Sequence, residues 1–200
     1  MYKRQIRQRL FEGLWAAHEG TIYPSVNYVD EIPKYVTSLT VAVDPASTDP
    51  YAALYIGKVD REKYVVLDEY YSEDKLTASA HAKLIVSKAQ YYKDKYGCYL
   101  YGFVVDPAMA SHRLEYSKLG QTVHGATNTL YDGIVNLRML LEAGNYSVYK
   151  KCIQTSKEFD SYIWDPNRPD TPIDDNNHAM DCLRYHSLEF FPLLGKMTYF

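Results

Sequence analysis

Two apolar runs in this 200-residue sequence end alike, and that shared ending limits the possible folds more than any other feature. Ser38-Leu-Thr-Val-Ala-Val-Asp44 is followed at once by Pro45-Ala46, and Tyr99-Leu-Tyr-Gly-Phe-Val-Val-Asp106 by Pro107-Ala108. Runs of β-branched and aromatic residues closed by proline predict buried strands. In α/β proteins, sites form in the crevice at the carboxyl ends of such strands. A single Asp before Pro has a plainer role, as a turn cap. Its recurrence on a second strand points to two carboxylates delivered to one metal site.

The remaining pattern is that of an α/β domain. Ser38–Asp44, Tyr51–Val59 and Tyr64–Tyr71 read as three strands joined by the short polar stretches 45–50 and 60–63, hence an antiparallel meander. An alanine-rich amphipathic helix from Thr77 closes near Gly97. The strand ending at Asp106 then returns most economically parallel to the first, through that helical crossover. Ala108–Leu119 predicts a short helix, Gln121–His124 a strand, Tyr131–Glu142 an amphipathic helix, Tyr146–Tyr149 a strand and Cys152–Tyr162 a helix. Trp164–Pro172 reads as a proline-rich loop or hairpin. A last helix is expected from an Asp174 or Asp175 N-cap to Phe190 or Phe191. Three antiparallel strands followed by parallel ones, flanked by helices, form the ribonuclease H-like mixed sheet.

Residues 1–36 differ from this. Tyr2 to Leu14 reads as a basic helix, and turn-rich sequence around Pro24 and Pro33 follows. The segment reads as a linker or the tail of a preceding domain, packed on the core through Trp15 and Tyr23, with 37–200 as the folded domain. No apolar run reaches bilayer length and no signal-peptide core is evident. Cys98, Cys152 and Cys182 are scattered without a CxxC pair, which argues against a zinc ribbon and fits a reducing compartment. The net charge of −3 does not exclude a nucleic-acid partner, because carboxylates that recruit cations can meet phosphate through them.

A third acid sits in the last helix. Asp181 is flanked by Met180, Cys182 and Leu183, so it lies toward the core, where an ion needs compensation. His178 is three residues earlier, on the same face. If that face packs on the two strand ends, Asp44, Asp106 and Asp181 converge into an all-oxygen set suited to Mg²⁺ or Mn²⁺. Two such ions serve phosphodiester hydrolysis. Asp44, on the central strand, is the natural bridge between them, Asp106 and Asp181 each hold one side, and His178 ligates, carries a proton or contacts phosphate.

The chain resembles the C-terminal nuclease domain of the large terminase subunit of tailed bacteriophages. Leu14-Trp15 with Glu19-Gly20-Thr-Ile-Tyr23 is similar to the segment joining the motor ATPase to the nuclease. Val43-Asp44-Pro45-Ala46 and Val105-Asp106-Pro107-Ala108 resemble the first two acidic motifs. His178-Ala-Met-Asp181-Cys-Leu-Arg-Tyr185 resembles the third. The resemblance implies a ribonuclease H-like endonuclease that cleaves concatemeric viral DNA during packaging in the host cytoplasm. The implied partners are double-stranded DNA, the terminase small subunit, the portal or procapsid and an ATPase domain of the same chain. Asn177 stands where relatives often carry an acid, and Gly125-Ala-Thr-Asn-Thr129 lacks a lysine often found there. No GxxxxGK[ST] occurs, so the sequence is not the ATPase half.

Plainer roles compete for several residues. Asp181 could pair with Arg184 or Lys157 as a surface acid, and His178 could simply pack. Asp68 and Glu69 read as structural, Ser47, Thr48 and Asp49 as turn-forming. Lys150, Lys151, Lys157 and Arg168 either line a DNA path or are solvated. Rival functions are another ribonuclease H-like nuclease, such as a resolvase or transposase core, and a non-catalytic module that docks on DNA or the portal.

Overall fold

The computed structural model describes residues 21–46, 50–168, 170–173 and 175–192. The basic helix expected over residues 2–14, together with Trp15, residues 47–49, Asp174 and the tail past Pro192, lies outside the described residues.

Among the described residues seven strands form one mixed sheet: β1 (Asn27–Val29), β2 (Ser38–Asp44), β3 (Tyr51–Asp60), β4 (Lys63–Ser72), β5 (Tyr99–Val105), β6 (Val123–Gly125) and β7 (Tyr146–Tyr149). Their spatial order is β1-β7-β4-β3-β2-β5-β6. β2, β3 and β4 are the antiparallel meander, β5 runs parallel to β2, and β6 runs parallel to β5. On the far side β7 is parallel to β4, and β1 to β7. β2 is buried from Leu39 to Val43 because both of its faces are covered, which explains its unbroken apolar run.

Among the described residues five helices flank the sheet: α1 (Ala78–Tyr96), α2 (Ala110–Lys118), α3 (Leu130–Glu142), α4 (Ile153–Ser161) and α5 (His178–Phe190). α1 starts and stops where its sequence signals lie. The Thr77 side chain accepts from Ala80 N–H, and Gly97 closes the helix at a φ of 59°. One apolar core lies under α3, α4 and α5 and includes Leu54, Val66, Leu137, Phe159 and Leu183. The other lies under α1 and α2 and includes Val41, Tyr55, Ile85, Phe103 and Tyr116.

Three features are not marked in the sequence. The stretch read as a linker supplies the edge strand β1 and buries Ile22 along with Tyr23, a contact of this segment that the sequence did mark. β5 pairs with β2 through a register shift, Leu39 facing Leu100 and Thr40 facing Gly102. The extra residue, Tyr101, reverses the alternation, so that Leu100 and Phe103 both join the α1/α2 core. Gly102 takes a φ of 140° to make this bulge.

The last helix begins at His178, not at an Asp174 or Asp175 cap. Its N-cap is Asn177, whose side chain makes no capping bond. A long-range acid replaces the local cap: Glu158 of α4 accepts from Ala179 N–H at 2.7 Å and Met180 N–H at 3.1 Å. α4 begins in the same way. Cys152 makes no side-chain cap, and Glu69 of β4 accepts from Gln154 N–H, Thr155 N–H and the Thr155 hydroxyl. Each helix start is therefore tied to the element before it in space, sheet to α4 and α4 to α5.

Candidate active site

Asp44 is the last residue of β2, and Asp106 directly follows β5. Because the two strands are parallel neighbours, both acids emerge at the same end of the sheet. Asp106 N–H donates to Val43 O at 3.4 Å. α5 packs across β2, β3 and β5 and brings His178, Asp181, Arg184 and Tyr185 to this end.

Each predicted acid meets one α5 side chain. His178 Nδ1 lies 2.9 Å from Asp44 Oδ2. The Arg184 guanidinium donates twice to Asp181 Oδ1, from Nε at 3.1 Å and Nη2 at 2.8 Å. The Tyr185 hydroxyl donates to Asp106 Oδ2 at 3.2 Å, and Ala108 N–H to Asp106 Oδ1 at 2.9 Å. Asp181 thus has the Arg184 partner considered in the sequence, but as a largely buried pair and not a surface one: Arg184 is 2% exposed and Asp181 18%.

The electrostatics are those of acids short of positive charge. Burial raises the Asp44 carboxyl above the ordinary range, against the lowering effect of His178, and Asp106 adds to the rise. Burial likewise pushes Asp181 up to about 6, opposed by Arg184 and reinforced by Asp44. Glu158, buried beneath the first turn of α5, is pushed up to about 7 by burial, against its bonds from Tyr71, Met180 and Ala179.

Carboxylate oxygens on buried, mutually repelling acids are suited to a hard divalent cation. Among the described residues no three His, Cys, Asp or Glu side chains already form a ligand set. The acids are turned onto their α5 partners. Asp44 Oδ1 and Asp181 Oδ2 lie outside those bonds, which leaves one oxygen on each for a cation. Both Asp106 oxygens accept one bond, and each retains a further lone pair.

Other side chains singled out in the sequence have partners within the fold. Asp68 accepts from the Tyr92 hydroxyl and pairs with Lys88, and Glu69 caps α4. Lys150 pairs with Asp30 and Arg168 with Asp165, both at 2.7 Å. Lys157 donates to Gln154, and Lys151 lies over the Tyr149 ring. Glu158 and its partner Tyr71 had no marking in the sequence, because an acid on a short helix reads as solvated until its partners are known.

The mixed sheet and its flanking helices form a ribonuclease H-like fold. Solved large-terminase structures share it. The large terminase of a thermophilic bacteriophage, solved in complex with ADP, superposes with a TM-score of 0.77 at 22% identity, covering 92% of this chain and 50% of that one. The P22 large terminase nuclease domain gives 0.66 at 17% identity, covering 86% of this chain and 92% of that domain. The nuclease domain of the SPP1 large terminase, solved with bound Mn, gives 0.62 at 16% identity, covering 84% of this chain and 98% of that one. The chain thus spans about half the length of the ADP-bound large terminase. No family model and no curated protein sequence matches it.

Proposed function

We propose that this chain is the metal-dependent endonuclease domain of a phage large terminase and cleaves concatemeric viral DNA during genome packaging. The observation that carries the reading is the arrival of Asp44, Asp106 and the Asp181-bearing helix at one end of one sheet. Asp44, Asp106 and Asp181 would hold the metal. Mg²⁺ or Mn²⁺, as one ion or a pair, would supply an activated water and stabilisation of the leaving oxygen. The SPP1 nuclease domain with bound Mn and the G20c nuclease with bound magnesium support this choice of cations.

The residues of the chain have separable tasks. Asp44 and Asp181 provide charge that burial makes costly without a cation. His178 orients Asp44 through Oδ2, and Tyr185 orients Asp106. Double-stranded DNA is the substrate. The ATPase domain of the same full-length chain, the small subunit and the portal or procapsid are the partners, and the host cytoplasm is the setting. Among the described residues no helix is long and apolar enough to cross a membrane.

The test is cleavage of supercoiled plasmid by the purified chain with Mg²⁺ or Mn²⁺. Nicking or degradation is expected, with abolition in Asp44→Ala at unchanged circular dichroism. No cleavage with either metal overturns the reading in favour of a docking module, which the engaged state of all three acids would then explain.

A further inference from the structure

Arg184 reaches both ways from the centre of α5. Its Nε and Nη2 converge on Asp181 Oδ1, while Nη1 points away, to Asn128 Oδ1 at 2.8 Å and Thr129 O at 3.5 Å. The guanidinium carbon stands 4.7 Å from the centroid of the Tyr185 ring, whose hydroxyl donates to Asp106. The aliphatic stem lies against Gly133 of α3. A Cβ on that glycine would stand 2.8 Å from Arg184 Cγ and 2.9 Å from Cδ. Glycine is a poor residue inside a helix, and here it is what allows α3 to lie on the arginine.

The manner of the Asp181 contact is informative. A guanidinium that serves only to neutralise a carboxylate can take both oxygens with its parallel N–H fork. Here both donors fall on one oxygen. The other guanidinium edge is anchored to the loop before α3, so the arginine is held from behind. Partners that grip a ligating carboxylate fix its direction and tune its affinity.

We infer that Arg184 is the positioning residue of Asp181, gripping one oxygen and leaving the other for a divalent cation, and that Asn128 holds Arg184 in place. Metal affinity at Asp181 then depends on a loop that contributes no acid. The inference rests on the proposed nuclease reading for the identity of the ligand.

Mn²⁺ binding without DNA, by titration calorimetry and by thermal shift, tests it on the whole chain. Asn128 is exposed, so Asn128→Ala is expected to leave the metal-free Tm unchanged while weakening Mn²⁺ about three- to tenfold. Arg184→Lys keeps the charge but loses the fork, and a loss of about 10–100-fold is expected. Gly133→Ala crowds the arginine stem without altering any charge and should also weaken the ion. Wild-type affinity in Asn128→Ala and Arg184→Lys, alongside its loss in Asp181→Asn, overturns the inference and leaves the nuclease reading standing. Absence of Mn²⁺ binding by the wild-type chain removes both. Should Arg184→Lys fail to fold, Asn128→Ala decides alone.

Discussion

The Glu158 carboxyl joins the Tyr71 hydroxyl at 2.8 Å and, through its other oxygen, the first two backbone N–H groups of α5 after His178. One buried acid thereby fixes where the helix bearing His178 and Asp181 begins. A helix start without a cap loses about 1–2 kcal/mol, and here Tyr71 would lose its acceptor as well. Glu158→Ala is therefore expected to cost about 2 kcal/mol or more, read from the urea midpoint at constant slope. The carboxyl is raised to about 7 in the folded state, above its unfolded value near 4. Its contribution is full below pH 4 and is lost as pH rises through 7. The stability of Glu158→Gln relative to wild type should accordingly improve as pH rises from about 4 to 7 and level off above that.

Asp44 follows the same sign. Burial, with Asp106 beside it, raises its carboxyl in the folded state, so ionisation in metal-free buffer destabilises the fold. Asp44→Asn keeps an acceptor for His178 and removes that charge. Its Tm is expected to exceed wild type by about 2–4 °C per kcal/mol relieved at pH 8, with the difference closing toward pH 4. A lower Tm at pH 8 in calorimetric scans would show that Asp44 contributes structurally through its charge.

Three buried histidines respond in the opposite direction. His81 bonds the Tyr70 hydroxyl and stacks on Tyr51 at 4.2 Å. His112 lies 5.8 Å from the same ring. His186 bonds the Tyr146 hydroxyl, and its Nε2 is buried without a partner among the described residues. Burial lowers all three, His186 to about 3. A lowered histidine is neutral in the fold and protonated when unfolded, so stability is full above about pH 6.5 and is lost as pH falls below it. For His186 the loss approaches about 1.4 kcal/mol per pH unit. Denaturant melts of His186→Gln from pH 7 to 4 should show a shallower decline than wild type, and parallel declines would refute the assignment.

Much of this architecture was legible because its signals are local. β2 matches its apolar run from Ser38 to Asp44, and α1 obeys Thr77 and Gly97. Asp44, Asp106 and Asp181 stood out through a repeated Asp-Pro-Ala ending and apolar helix neighbours. The illegible parts depend on partners distant in sequence. Glu69 caps a helix start 85 residues away, and Glu158 one 21 residues away. Neither has a distinctive local pattern, whereas Asp175 carries the usual local cap signal without starting the helix. β1 is three residues long and exists through pairing with β7, too short for periodicity to reveal.

The bulge in β5 gives the last prediction, because it sets the register from which Asp106 emerges. Gly102 has a φ of 140°, and a Cβ there would stand 2.6 Å from the Thr122 carbonyl oxygen. That oxygen accepts from Phe103 N–H at 2.9 Å, tying β5 to the start of β6. Gly102→Ala must therefore strain the backbone and break or shift this bond. Gly97 is the control, with a φ of 59° and nothing within 4 Å of an added Cβ. Gly97→Ala then carries the left-handed penalty alone, about 1 kcal/mol. Gly102→Ala should cost about 3 kcal/mol or more and reduce metal-dependent cleavage as Asp106 moves. Comparable urea midpoints for the two variants would mean that the bulge relaxes freely and does not set the position of Asp106.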